Sequence, residues 1–360
     1  MSAPLKPVLI VLGMHRSGTS ALSGICHMLG VHMGEAFLEP TKDNPKGYFE
    51  DIACVDIQER ILKFFNMSWD SYSLLPSGWH QLRSMTPFRE ELKALISTRD
   101  SHMIWGIKDP RLCRLLPLWL DIFSELGFSP HFLIPIRNPH EVSSSLVQRD
   151  QLRIHHSLML WFVHNLEAEF YTRPYPRILI NYPSYLEKWE SIYQVLTQNW
   201  HFELPPITSE VKHHIDDFLC STLYRHRLAS HVTPVQIAFP TVRTMWTILQ
   251  KLTFTQSEYD VLNEFWHESR FWLYAFTDSL ETLQHSNRNF TRSSQTLSEH
   301  YEQLLAENKS FIEQLQIIQT MIADLEVNLD LMKNSLSWRL TAPLRILKKQ
   351  VKSLPWLLKK

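Results

Sequence analysis

Val8-Leu9-Ile10-Val11-Leu12-Gly13-Met14-His15-Arg16-Ser17-Gly18-Thr19-Ser20 is the stretch on which the fold turns. Five aliphatic residues closed by a glycine spell a strand buried on both faces, as in parallel sheets. The run is too short for a signal sequence or a membrane span. Gly13 and Gly18 set the GxxxxG spacing of a phosphate-cradling loop, and Ala21 to Gly30 continue as a helix. Glycines let backbone N–H groups turn inward, and the helix N-terminus adds partial positive charge, so the turn suits an anion. A Walker A loop would carry Lys where Thr19 stands; Arg16 sits inside the loop instead. The pattern argues for anion binding and against an ordinary P-loop nucleotidase. The plain alternative is a glycine-bearing turn that holds nothing.

Outward from this core, buried strands are expected at Met103–Lys108, His131–Arg137 and Arg177–Tyr182, with helical stretches between them. Strands alternating with helices imply crossover units. The fold class is therefore α/β: a three-layer, P-loop-like parallel sheet flanked by helices, followed by a C-terminal helical coiled coil. Arg137 ends the third strand, where ligands bind in parallel sheets. Ser145 and Arg149 follow at helical spacing on one face, and two guanidinium forks with a hydroxyl suit a phosphate.

From Leu297 the pattern changes. Leu297, Leu304, Phe311, Ile318, Leu325 and Met332 recur every seven residues, interleaved with Tyr301, Asn308, Leu315, Ile322, Leu329 and Leu336. This alternating spacing reads as a coiled coil, and Asn308, the lone polar residue of the second series, favours a parallel homodimer. After Asp330 no acidic residue occurs, while eight Lys and Arg, from Lys333 to Lys360, are interleaved with Leu and Trp. Such a tail fits peripheral contact with an anionic membrane or packing on its own protein. Four segments are expected: 1–230 with the sheet, a helical extension 231–290, a coiled coil 291–336 and a basic amphipathic tail 337–360.

The 360 residues are 44% hydrophobic and 20% charged with a net charge of −1, which excludes nucleic-acid binding through bulk charge. Cys26, Cys54, Cys113 and Cys220 show no paired spacing and read as reduced thiols of a cytoplasmic protein. His155-His156 and His213-His214 read as surface pairs, so no metal site is expected.

The pair Gly13-Met14-His15-Arg16-Ser17-Gly18-Thr19-Ser20-Ala21-Leu22 and Ile134-Pro135-Ile136-Arg137-Asn138-Pro139-His140-Glu141-Val142-Ser143-Ser144-Ser145-Leu146 resembles the two nucleotide-binding signatures of sulfotransferases. These enzymes use 3′-phosphoadenosine 5′-phosphosulfate (PAPS). Gly106-Ile107-Lys108-Asp109-Pro110-Arg111 is similar to an element of the bacterial branch grouped with tyrosyl-protein sulfotransferases. The resemblance covers residues 7–230 and implies PAPS as co-substrate with no metal. It implies that Gly13, His15, Arg16, Ser17, Gly18, Thr19 and Ser20 hold the 5′-phosphosulfate, and that Arg137, Ser145 and Arg149 hold the 3′-phosphate. Lys108 matches the catalytic lysine and Arg16 an arginine at the sulfuryl group. Tyr182 stands where the family has Tyr-Glu, with Pro183 in place of the Glu. Glu35 and Glu50 both qualify as the base, and His15 is a third option. A kinase using Asp109 for magnesium and a membrane-attached scaffold are the competing readings. The tail from Ser337 to Arg345 is similar to tails on bacterial polysaccharide glycosyltransferases, which implies a glycan acceptor at the inner membrane face.

Overall fold

The computed structural model describes residues 5–100, 104–219 and 239–334. The expected strand start at Met103, Cys220, Leu336 and the basic tail lie outside the described residues. In chain order the elements are β1 (Lys6–Val11), α1 (Thr19–Met28), α2 (Ile52–Phe64), α3 (Thr86–Arg99), β2 (Gly106–Lys108), α4 (Leu112–Leu126), β3 (Phe128–Ile136), α5 (Pro139–Asp150), α6 (Ile154–Thr172), β4 (Arg177–Asn181), α7 (Tyr182–Glu187), α8 (Glu190–Gln194), α9 (Ser209–Phe218), α10 (Pro240–Leu249) and α11 (Gln256–Asn334).

All four strands pair in parallel in the order β2-β1-β3-β4. Val8, Leu9, Ile10 and Val11 are fully buried because β1 has strand neighbours on both edges and helices on both faces. Its side chains alternate between two cores, as the strand period of two requires. Val8 and Ile10 meet a core drawn from α2 to α6, whereas Leu9 and Val11 meet residues of α1 and α7 to α9. The chain is thus α/β with a three-layer parallel sheet, as its strand runs imply. β3 starts earlier than expected, at Phe128, because its pairing with β1 extends down to Lys6. β2 is shorter than expected: Trp105 pairs with His32 in an isolated bridge, and only Gly106–Lys108 join the ladder with β1.

The first compact unit runs Met1–Asp278. The segment read as a helical extension contributes to its core: Val242, Met245 and Leu249 of α10 and Leu262, Trp266 and Leu273 of α11 are buried in the α6-side cluster. Trp266 stacks on Phe170 at 3.7 Å between centroids. Cys26, Cys54 and Cys113 are buried free thiols. Among the described residues no helix is long and apolar enough to cross a membrane.

The second unit is Ser279–Lys360, and its described part is helical through Asn334. Leu297, Leu304, Phe311, Ile318, Leu325 and Met332 lie exposed, as do Tyr301, Leu315, Ile322 and Leu329.

Candidate functional site

Parallel pairing brings the C-terminal ends of β1, β2 and β3 to one end of the sheet, and the sequence places a loop after β1 and a cation at the end of β2 and just past β3. Beyond β1 the chain turns through Arg16 (φ 67) and Gly18 (φ 94), both left-handed. Only glycine fits at Gly18, since a Cβ there would stand 2.0 Å from the Tyr182 ring and 2.4 Å from the Tyr185 hydroxyl. Helix α1 then begins with no acidic residue in its first turn and no side-chain cap, so its leading N–H groups keep their capacity for an anion. Ser17 is fully buried within the loop and its hydroxyl has no hydrogen-bond partner.

Cations surround this loop. Arg16 Nε donates to Ser145 Oγ at 2.7 Å and its NH1 lies 3.5 Å from Asp43 Oδ2. Ser145 accepts here and so keeps its own proton to donate. Arg137, one residue past β3, donates from NH1 to the Arg16 carbonyl at 2.8 Å and from Nε to Glu141 at 2.9 Å. Its guanidinium lies 4.5 Å over the Tyr182 ring, which is buried against the loop. Arg149, one turn beyond Ser145, bonds Asp150 at 2.7 Å and lies 5.3 Å over the Trp69 ring. Burial, then the crowding Arg149 and Arg137 charges, pull Arg16 below the usual arginine value despite Asp43. A cluster of like charges held this way favours an anion among them.

Lys108 ends β2 and is 2% exposed. Its Nζ donates to Ser20 Oγ at 3.2 Å, to the Tyr48 carbonyl at 3.0 Å and to Glu50 Oε1 at 2.5 Å. Glu50 is buried, with Arg111 NH1 3.5 Å from its second oxygen. Arg111 in turn bonds Asp109 Oδ1 at 2.7 Å and Glu59 at 2.5 Å. Burial pushes Asp109 up to about 6 although Arg111 opposes it. Asp109 also accepts from Gln58 at 2.7 Å, so this fully buried acid is engaged on both oxygens.

The resulting cleft is lined by Arg16, Lys46, Lys108, Arg137 and Arg149 against Asp43 and Glu50, together with His15, Gly18, Thr19, Ser20 and Tyr182. The excess of cations selects an anionic ligand. Gly13, Ser17 and Ser145 are not part of that lining, although Ser145 reaches it through Arg16. His15 is held neutral, first by burial and then by Arg111 and Arg149; its Nε2 is buried without a partner and its ring meets Trp69 edge-on at 4.8 Å. The two candidate carboxylates separate cleanly. Glu50 lies against Lys108, whereas Glu35 does not line the cleft: its side chain is 61% exposed and pairs with His32 at 3.1 Å.

Sequence reading missed Asp43, Tyr48, Trp69 and Arg111. The turn-forming Asn44-Pro45-Lys46-Gly47 was a usable signal for the first two, since Asn44 closes that turn onto the Gly47 carbonyl at 2.7 Å beside the cleft. Among the described residues no group of three or more His, Cys, Asp or Glu is placed to hold a metal ion.

No protein-family model matches the chain, and no curated protein matches it. Among solved structures it is similar to a sulfotransferase domain from the curacin biosynthetic pathway, at 12% identity and a TM-score of 0.38, covering 70% of this chain and 100% of that one. It is also similar to a sulfotransferase domain from the Synechococcus PCC 7002 olefin synthase, at 13% identity and a TM-score of 0.35, covering 73% of this chain and 96% of that one.

Proposed function

We propose that this chain is a sulfotransferase that moves a sulfuryl group from PAPS to a hydroxyl of a carbohydrate. The observation that carries this reading is the convergence of Arg16, Lys108, Arg137 and Arg149 on the loop that leads into the uncapped N-terminus of α1, at the C-terminal end of the sheet. The donor set fits a nucleotide that is anionic at both ends. Arg137, Arg149 and the Ser145 hydroxyl would hold the 3′-phosphate; the amides from Gly18 to Ser20, at the uncapped start of α1, would hold the 5′ end.

When bound, PAPS supplies an activated sulfuryl group on a phosphate leaving group. Negative charge grows on the leaving oxygen during such transfers. Lys108 and Arg16 are fixed donors that stabilise it, each worth up to about 3–4 kcal/mol in a preorganised site. Glu50 takes the acceptor's proton, and in the resting cleft it keeps the Lys108 ammonium aimed at Ser20. A kinase reading needs an acid for magnesium, and Asp109 is occupied by Gln58 and Arg111. The glycan acceptor rests on the likeness of the tail from Ser337 to glycosyltransferase tails, and the same likeness is the support for a location at the inner face of the membrane.

Incubation with sulfur-radiolabelled PAPS and bacterial surface polysaccharide tests the proposal. Label should enter the glycan with wild-type protein and not with Lys108→Ala. Transfer of the γ-phosphate of ATP in place of sulfur would overturn it.

A further inference from the structure

We propose that residues 297–332 form a parallel, in-register coiled coil with a second copy of this chain. The helix runs unbroken through this segment, and its ten apolar seam side chains are between 42% and 71% exposed. They recur at a mean of 3.5 residues, so they form one stripe along a slightly supercoiled helix. Side chains of this size bury roughly 60–120 Å² each, or roughly 600–1,200 Å² per helix. A stable interface takes about 800 Å² from each partner, a figure that lies within the range the stripe offers.

The identity of the partner follows from Asn308, which interrupts the apolar series and is itself exposed. Against a foreign apolar helix its amide would be buried with unmet hydrogen bonds. In an antiparallel pair it would face an apolar position of the other series. Only a parallel pair in register sets Asn308 against Asn308, where the two amides satisfy each other. The flanking charges agree with this register. Glu307 falls opposite Ile312 and Glu326 opposite Met321, so no like-charged pair meets across the seam.

The test uses the full chain and does not depend on the reaction. Wild type should sediment as a dimer at micromolar concentration. Leu304→Cys should form a reducible disulfide between copies under mild oxidation, because equivalent seam positions face each other; Gln303→Cys, on the outer face, should not. A wild-type monomer, a trimer or tetramer, or a dimer whose Leu304→Cys form fails to cross-link would each overturn the proposal.

Discussion

Replacing Lys108 by Ala tests whether the buried ion pair is part of the site's construction. Lys108 is 2% exposed and its ammonium makes three hydrogen bonds, to Ser20, the Tyr48 carbonyl and Glu50. Removing one partner of a buried pair costs about 3–5 kcal/mol because the other charge stays behind in a poor solvent. Here Arg111 NH1 remains 3.5 Å from Glu50 and compensates in part, which puts the cost near the lower figure, about 3 kcal/mol. For a unit of this size that lowers the midpoint of thermal unfolding by about 6–12 °C. The double variant Lys108→Met with Glu50→Gln removes both charges and should melt closer to wild type than Lys108→Ala does. Circular dichroism melts of the three proteins decide the matter. Affinity for adenosine 3′,5′-bisphosphate (PAP) should change little in Lys108→Ala while turnover is lost, since the ammonium acts on charge that develops in the transition state. A Lys108→Ala protein that melts within about 1 °C of wild type would refute the reasoning, because a buried Glu50 left with only the more distant Arg111 must cost more than that.

Gly18→Ala should unfold at lower temperature and lose PAP binding, since the left-handed backbone costs about 1–2 kcal/mol and the new Cβ falls inside the Tyr182 ring. Gly47→Ala, equally left-handed but with nothing near the added carbon, should show only the backbone cost, and equal effects at both sites would contradict the packing account. His164 is fully buried, and that burial, followed by Arg114, pushes it down to about 3. Its folded value lies below its unfolded one, so its contribution to stability is complete above about 6.5 and is lost as pH falls toward about 3. His164→Asn should flatten the acid side of a urea-stability profile, and an unchanged slope would argue against a neutral His164.

The parts of the fold that could be read from sequence are those with strong periodicity. Val8 to Leu12 declared a two-sided buried strand, and the βα pattern after it led to the parallel sheet. Arg137, Ser145 and Arg149 were grouped because one strand end and one helix face carry them, and the structure places Arg137 and Ser145 on the backbone and side chain of Arg16. What lay hidden depends on contacts between distant segments. Glu35 and Glu50 look alike as loop carboxylates, and only folding shows that Glu50 is pulled in between Lys108 and Arg111 while Glu35 stays at the surface. Asp43 is one acid in a polar turn, with nothing local to mark its approach to Arg16, which lies 27 residues earlier. The aromatic run around Trp266 gave no sign of its partner, because Phe170 belongs to a helix nearly a hundred residues upstream.

Isothermal titration of the wild-type protein with PAP and with AMP tests the central claim most directly, for it needs no knowledge of the acceptor. The two ligands differ chiefly in the 3′-phosphate that Arg137, Ser145 and Arg149 are proposed to hold. Loss of charged hydrogen bonds worth about 2–3 kcal/mol should leave AMP about 30–150-fold weaker than PAP, and Arg137→Ala should remove most of that gap. Comparable affinities for the two nucleotides would contradict the assignment of this cleft to PAPS.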